Sequence, residues 1–389
     1  MIEPLRREFN RQFTPEKYQR FLAAIDAAAG THVEFRCSET PVFFAPALLD
    51  QMARFGRELV EQIEANPEYR RASDATIPEQ FRVPDEAPHP LFVQADFGLV
   101  ATGAGDWAPK LVEIQGFPSL YGFQPVLAAE YKKAYDLDGA LRCFLGDLTD
   151  ESYLALFRRA VLGGHRPQDV ILLEIDPYRQ KTLADFLETE RMLGIRIANI
   201  SDVEKRGRKL YHAGMPVERI YNRVIVDELM RREVPCQFRF TDELDVEWAG
   251  HPNWFFRLSK FSLPWFRHEC VPETHFLNEL DAIPGDLDQW VLKPLFSFAG
   301  LGVKVGPSCE DIDAIPVRSR GDYILQRRMD FAAPVFTPSG PTKLEVRIMY
   351  IRDDVLQPVT TIIRTGRGKM MGVDFNKNLD WVGASAGLF

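Results

Sequence analysis

Apolar residues recur at helical spacing through "PEKYQRFLAAIDAAAG" and "APALLDQMARFGRELVEQIEANPEYR". The first 90 or so residues therefore read as helical, with the second helix ending near Asn66 and Pro67. A proline-rich break, "RVPDEAPHPLF", closes that stretch. Two apolar runs follow, "LFVQADFGLVAT" and "PKLVEIQGF", separated by the turn-rich "GAGDWA", a pattern that predicts a β-hairpin. Asp96 falls on its first strand and Glu113 on its second. Helical spacing returns in "PVLAAEYKKAYDL" and "ESYLALFRRAVLGG", the latter closed by a Gly pair suited to a helix stop. "DVILLEID" reads as a buried strand. After it come the helix "YRQKTLADFLETERMLG", the strand "IRIANIS", a hairpin around "GRKLYHAGMPV" and the strand "RIYNRVIV". Strands alternating with such a helix predict a βαβ unit and a small parallel sheet. From about residue 255, "QWVLKPLFSFAGLGVKVG", "YILQRRM" and "KLEVRIMYIRDDVLQPVTTIIRTGRG" read mainly as antiparallel strands. No internal repeat is visible.

Composition narrows the class of partner. The chain has 389 residues, enough for about two or three domains at roughly 150 residues each. Hydrophobic residues at 46% and charged residues at 26% describe a globular chain rather than a disordered one. A net charge of −9, with acids and bases interspersed, suggests no nucleic-acid groove and no binding to an anionic membrane, and fits a small-molecule partner. The N-terminal "MIEPLRREFNRQF" has no apolar signal core. No stretch approaches the ~18 uninterrupted apolar residues of a membrane span, so a cytoplasmic location is expected. Five cysteines without CxxC spacing argue against a disulfide framework or zinc knuckle, and the seven histidines form no HxxxH or HxH pair.

Against that background a few charged residues stand out. Glu113 is a lone carboxylate within an apolar run, and a buried charge is costly unless it is paired or bound to metal. It is therefore either one half of an ion pair or a metal ligand. Lys293 sits near a strand end before a loop with Gly300 and Gly302, where close backbone approach and a compact positive charge would suit phosphate oxygens. Lys260 in "LSKFSLP" is a second lysine after an apolar stretch. Glu345 and Arg347 are two apart, so both point to one face of a strand, either solvated or lining a site. Arg364 precedes a loop with Arg367 and Lys369 that would suit an anionic substrate or a transferring phosphoryl group. Glu174, Asp176 and Gln180 follow the strand "VILLEID" at the carboxyl end where open α/β sheets place ligands, and Arg223 would join them from a neighbouring strand. No Ser-His-Asp, Cys-His or HExxH arrangement can be assembled. Acids for a cation, lysines with glycines for phosphates, and arginines for carboxylates together describe a nucleotide-using transferase or ligase.

These residues, taken in order, resemble the circularly permuted ATP-grasp ligases, in particular eukaryotic-type glutathione synthetase and the glutathionylspermidine-synthase-like group. "LVEIQGFPSLYG" resembles that family's metal-binding E-I-N strand and its Ser-containing substrate loop, placing Glu113 and Gln115 at the E and N positions and Ser119 in the loop. Asp96 in "ADFGLV" matches the acid of the neighbouring strand. "LLEIDPYRQKTLADFL" and "RIYNRV" are similar to substrate-domain elements, which implies substrate-binding roles for Asp176, Gln180 and Arg223. "RLSKFSLP" and "WVLKPLFSFAGLGV" correspond to the two nucleotide-binding lysine strands, with Gly300 and Gly302 over the phosphates. "YILQRRM", with Gln326 and Arg327, takes the place of the adenine hinge, and Glu345, Arg347 and Arg364 complete the site.

The resemblance covers roughly residues 90 to 389. It implies a mixed α+β and α/β chain with a circularly permuted ATP-grasp fold, in which the D and E-x-N strands come near the front instead of last. Residues 1–90 would be a helical N-terminal segment and 91–165 the permuted part of the core, with the metal-binding strands. Residues 166–254 would be a small parallel-sheet α/β substrate domain and 255–389 the nucleotide-binding core. ATP and Mg2+ are the implied cofactors, Asp96, Glu113 and Gln115 the implied metal ligands, and Arg347 and Arg364 the implied catalytic residues. Gln115 replaces the usual Asn, but its amide oxygen is still a Mg2+-type ligand. The implied activity is joining a small carboxylate to an amine through an acyl phosphate. The alternatives are a nucleotide-binding protein without ligase activity and an ATP-grasp kinase. Relatives are often dimers, and the aromatic "CQFRFTDELDVEWAGHPNWFF" would cover either a partner or a neighbouring domain.

Overall fold

A proline stands in the first turn of each of the first four helices, where its missing N–H costs nothing and its fixed φ suits the helix. These are α1 (Glu3–Gln12), α2 (Pro15–Ala29), α3 (Pro46–Glu64) and α4 (Pro67–Asp74). Thr14 caps α2 by accepting from the Lys17 N–H, and Gly30 closes it at φ 69°. The pattern at Asn66 and Pro67 ends one helix and starts another, since Asn66 caps α4 through the N–H groups of Glu68 and Tyr69. The segment is not wholly helical: a short strand, β1 (Val42–Phe43), separates α2 from α3. The computed structural model describes residues 1–103, 106–297, 300–376 and 378–389. Ala104 and Gly105 of the expected "GAGDWA" turn, and Phe298 and Ala299 of the expected glycine loop, lie outside the described residues.

The expected hairpin is formed by β2 (Phe92–Gly103) and β3 (Asp106–Gln115). Helices α5 (Phe123–Ala134) and α6 (Asp150–Leu162) follow, α6 opened by a Thr149–Ser152 capping box and closed by Gly163 at φ 55°. The alternating stretch then gives β4 (Val170–Glu174), α7 (Leu183–Leu193), β5 (Arg196–Asn199), a meander of β6 (Val203–Arg206), β7 (Lys209–His212) and β8 (Met215–Val217), and β9 (Arg219–Asn222). "RIYNRVIV" leaves the strand after Asn222, and α8 (Val226–Arg232) begins in its last residues. With β10 (Glu247–Ala249), β9, β4 and β5 form an all-parallel sheet in the order β10-β9-β4-β5.

After the short helix α9 (Asn253–Arg257), strands β11 (Thr274–Phe276), β12 (Trp290–Pro294), β13 (Lys304–Val305) and β14 (Tyr323–Arg327) make an antiparallel sheet ordered β11-β14-β12-β13. Next come β15 (Val335–Thr337), β16 (Gly340–Arg352), β17 (Leu356–Gly366), β18 (Gly383–Ser385) and β19 (Gly387–Leu388). The long strands β16 and β17 add to the hairpin, giving a central antiparallel sheet ordered β18-β17-β16-β2-β3, with β15 pairing to β16. β19 pairs in parallel with β1, so the last residues are stitched to the N-terminal segment. Among the described residues no helix is long and apolar enough to cross a membrane.

The central sheet has two unlike faces. Ala95, Phe97, Ile114, Val346, Ile348 and Ile363 are buried in a hydrophobic core on one side. Helix α3 covers that core with Met52, Phe55, Leu59 and Ile63.

Candidate functional site

The other face is polar because of strand register. Asp96 lies directly across from Arg347 on one neighbour and Glu113 on the other, while Glu345 faces Arg364. Directly opposed residues of antiparallel strands share a face, as do residues two apart. Gln94 and Gln115, also opposed, belong to the same surface. The register slips by one residue beside Asp96, leaving Val112 without a cross-strand partner. Its carbonyl accepts a hydrogen bond from Lys293 Nζ at 3.0 Å.

Asp96 is buried and has both oxygens engaged. Arg347 donates to Oδ1 through Nε and to Oδ2 through Nη2 (2.6 Å), and Arg364 Nη2 also donates to Oδ2 at 2.6 Å. Arg364 pairs in addition with Glu345. Arg347 Nη1 donates to Gln94 Oε1 at 3.0 Å, and Gln115 Nε2 donates to the same oxygen at 2.9 Å. A guanidinium has no acceptor, so this contact fixes which end of the Gln94 amide faces Arg347 and, through it, which end of Gln115 is the donor. Gln94 Nε2 completes the network by donating to the Ser119 carbonyl at 2.7 Å.

Glu113 is held less tightly, 3.6 Å from Lys260 Nζ and 3.8 Å from Arg347 Nη2. Burial alone would raise its pKa, but Lys260, Arg347, Lys293 and Arg364 together outweigh burial and hold it below the ordinary carboxylate range. Glu345 goes the other way, raised by burial that Arg364 only partly offsets.

Two lysines face this floor. Lys260 begins a 3-10 turn capped by Ser259, and its ammonium donates to the Ser297 carbonyl at 2.6 Å. Lys293 on β12 donates to Gln326 Oε1 at 2.5 Å. Its burial lowers its pKa to about 8, although Glu113 opposes the shift. Because an ammonium only donates, the Gln326 oxygen must face Lys293. Gln326 Nε2 is then a buried donor without a partner among the described residues, the kind of orphan a ligand acceptor would satisfy.

Floor and lysines enclose a cavity of about 980 Å³. Asp96, Glu113, Gln115, Ser119, Gln180 and Arg223 all line it, as do Lys260, Lys293, Gly300, Gln326, Arg327, Glu345, Arg347 and Arg364. Asp176 and Gly302 do not. Asp176 is engaged instead by Arg232 and by Asn199 Nδ2 at 3.3 Å. The carboxylate that enters the cavity from this strand is Glu174, whose pKa burial raises to about 8 against the opposing charge of Arg223. Gly302 adopts φ 73°, and a Cβ there would come 2.9 Å from Pro294 Cγ, so its glycine character is explained by the turn itself. Arg223 and Gln180 reach the cavity wall with part of their hydrogen-bonding capacity engaged, and Arg223 Nε is buried with no partner among the described residues. Arg223 is paired with fully buried Asp185, and Gln180 Nε2 donates to the Ile175 carbonyl at 2.8 Å.

The donor set can be tested against the groups that the resemblance implies. For a nucleotide, the lysines, the arginines and the orphaned Gln326 amide fit phosphates and a hydrogen-bonding base. For Mg2+, Asp96 and Glu345 are engaged by guanidinium groups, and no cluster of three or more His, Cys, Asp and Glu side chains among the described residues could hold a metal ion. Glu113 and the Gln115 amide oxygen remain as oxygen donors. That number fits a Mg2+ that keeps waters and shares ligands with phosphates, as the ion usually does.

No family model matches the chain, and no curated protein matches it. Among solved structures its fold is similar to that of a glutathione synthetase like-effector from Globodera pallida in its apo form, with 11% sequence identity and a TM-score of 0.57. The likeness covers 96% of this chain and 97% of the other. At that identity it is a likeness of fold: a mixed α+β chain similar to a glutathione synthetase-like protein.

Two members of the site were not singled out from sequence. Gln94 could have been, since it stands two residues before Asp96 on the same strand face in an otherwise apolar run. Asp185, inside "LADFL", gives a weaker signal, an acid in the first turn of a helix that also carries Glu188 and Glu190. It accepts from the Leu120, Gly122 and Phe123 N–H groups as well as pairing with Arg223.

Proposed function

We propose that the chain is an ATP- and Mg2+-dependent carboxylate–amine ligase of the circularly permuted ATP-grasp type. In this reading residues 91–165 and 255–389 form the nucleotide core, residues 166–254 bind substrate, and the helical residues 1–90 brace them. The observation that carries the reading is the charge of the cavity. Among the described residues eleven Lys and Arg side chains and five carboxylates line it, in a chain whose net charge is −9. Such a surplus suits a polyanionic ligand.

Lys260, Lys293 and Arg347 would neutralise the triphosphate, while Glu113 and Gln115 would hold the Mg2+, which supplies further charge neutralisation to the phosphates. A substrate carboxylate oxygen would attack the γ-phosphorus, the bond to the bridging oxygen would break, and ADP would leave an acyl phosphate. An amine would then displace phosphate at the acyl carbon, giving the amide. Arg364 Nε and Nη1 have no partner among the described residues and would meet the acyl phosphate. Asp96 fixes both arginines in advance, so their dipoles need no reorganisation during the reaction. Positioning and charge would carry the rate.

A second reading, nucleotide binding without ligation, is favoured by one observation: both Asp96 oxygens are already engaged by guanidinium groups. The test is ADP release from Mg-ATP with pools of amino acids, short peptides and polyamines, for the wild type and Glu113→Ala. ADP that requires both an acid and an amine, and is lost in the variant, supports the ligase. ADP without an amine would indicate a kinase. Equal ATP binding by both proteins with no hydrolysis would leave the non-catalytic reading.

A further inference from the structure

One face of the antiparallel sheet β11-β14-β12-β13 lines the cavity, and strand register decides what that face presents. Val291 on β12 stands directly opposite Gln326 on β14 and Val305 on β13. Lys293 is two residues further along β12. Opposed residues and residues two apart share a face, and Val291, Lys293, Val305 and Gln326 all line the cavity, together with the neighbouring Val303. The result is a β-branched wall with one amide and one ammonium beside it, a surface suited to a flat ring with polar atoms along one edge. Gln326 is only 1% exposed, so the orientation of its amide matters. Lys293 Nζ donates to Oε1 at 2.5 Å, which fixes that orientation and leaves Nε2 as a buried donor with no partner among the described residues. A carbonyl oxygen has two lone pairs, so the bond from Lys293 leaves one acceptor position on Oε1 next to the unused donor.

A donor and an acceptor side by side on one amide match the N7 atom and the 6-amino group of adenine, the pairing by which glutamine reads that base in nucleic acids. Lys293 selects the edge. Its ammonium gives two protons to the Val112 carbonyl and Gln326, leaving the third for a phosphate, and in the usual anti conformer the imidazole edge of a purine is the base edge nearest the 5′-phosphates. We propose that the Gln326 side chain determines the base of the bound nucleotide. Nε2 donates to N7 and Oε1 accepts from the 6-amino group. Guanine carries an oxygen where adenine carries that amino group, so two acceptors would face one another and the 6-oxopurine is disfavoured. The inference rests on the nucleotide reading above and adds to it the atoms that choose the base.

The experiment is isothermal titration of the full chain with ADP, with 7-deaza-ADP, in which a C–H replaces N7, and with GDP. The wild type is expected to bind ADP about tenfold tighter than either of the others, the effect of leaving one buried donor or acceptor unpaired. Gln326→Met keeps the length of the side chain and removes the amide. It is expected to weaken ADP about tenfold and to bring ADP and 7-deaza-ADP within about twofold of each other. The comparison among the three ligands uses the wild type alone and so does not depend on how the variant folds. Binding of 7-deaza-ADP or GDP as tight as that of ADP, or a preference for ADP that persists undiminished in Gln326→Met, would overturn the proposal. The two readings fail separately. Equal affinity for the three ligands removes this one and leaves the nucleotide reading standing, while binding of none of them removes the nucleotide reading and this one with it.

Discussion

Gln94 and Gln115 lie side by side across the hairpin, the Gln115 amide nitrogen 2.9 Å from the Gln94 carbonyl oxygen. The same oxygen receives Arg347, so a chain of donors runs from the Asp96 clamp to Gln115 and leaves the Gln115 oxygen as the end not used in that bond. An amide that could face either way is thereby given one orientation.

Gln94→Leu removes the shared acceptor and the donor to Ser119 together. Each buried group left unpaired costs about 1–3 kcal/mol, and the expected overall loss is about 3 kcal/mol in urea unfolding. An unfolding midpoint equal to the wild type would show that water or rearrangement satisfies these groups.

Asp96→Asn keeps the shape and removes the buried charge facing two half-buried guanidinium groups. Breaking such a cluster costs about 3–5 kcal/mol. The uncompensated positive charge should then favour anions, so pyrophosphate is expected to raise the melting temperature of the variant more than that of the wild type. Equal shifts would count against the clamp account.

Lys293, lowered to about 8 by burial, is cationic at pH 7 and loses its charge as pH rises through that value. Pyrophosphate affinity of the free protein is expected to fall between pH 7 and 9, and Lys293→Arg should remove that fall because arginine stays charged. For stability the sign is opposite. The unfolded lysine holds its proton up to its ordinary pKa of 10.5, so between about 8 and that value the unfolded state binds more protons and this group's contribution rises with pH. Affinity that is flat with pH would sink the assignment.

Glu174 is raised to about 8 by burial, from an ordinary value of 4.5. Between these values the folded state holds a proton that the unfolded state has released, so this group's contribution to stability falls as pH rises through the interval. Glu174→Gln is expected to be close to neutral near pH 4 and stabilising at pH 8, as measured by chemical denaturation at both. Equal effects at the two pH values would contradict a buried, protonated carboxyl.

Arg223→Met is expected to destabilise by about 3–5 kcal/mol, because Asp185 would stay buried with its charge unpaired. The double variant with Asp185→Asn, which removes the unpaired charge and keeps an acceptor for the Leu120, Gly122 and Phe123 N–H groups, should recover much of this, whereas a residue that only touched substrate would leave the melting temperature unmoved.

Local patterns were legible in the sequence. Helical spacing located α2, α3, α5, α6 and α7 but not α8 or α9, and alternation with period two placed Glu345 and Arg347 on one face. Cross-strand register was not legible. Nothing local says that Asp96 will stand opposite Arg347, some 250 residues away, yet that register turns scattered charges into one clamp. For the same reason Glu113 is the more open carboxylate and Asp96 the more engaged one, an ordering that spacing alone does not give. Glu174, which ends β4, and Asp176, two residues beyond it, could not be ranked without knowing that Arg232 and Asn199 lie beside the second. The pairing of β1 with β19 joins strands of two residues each, too short to carry a periodic signal.

The contrast between a cationic cavity and an acidic chain also bears on speed. Among the described residues the cavity lining carries more Lys and Arg than Asp and Glu, although the chain as a whole is net negative. An approaching anion is drawn to that lining. Capture of a polyanion should therefore outpace that of a neutral molecule of equal size, and slow steeply as salt shortens the reach of the field to about 8 Å at physiological ionic strength. Departure, governed by contacts inside, should change far less.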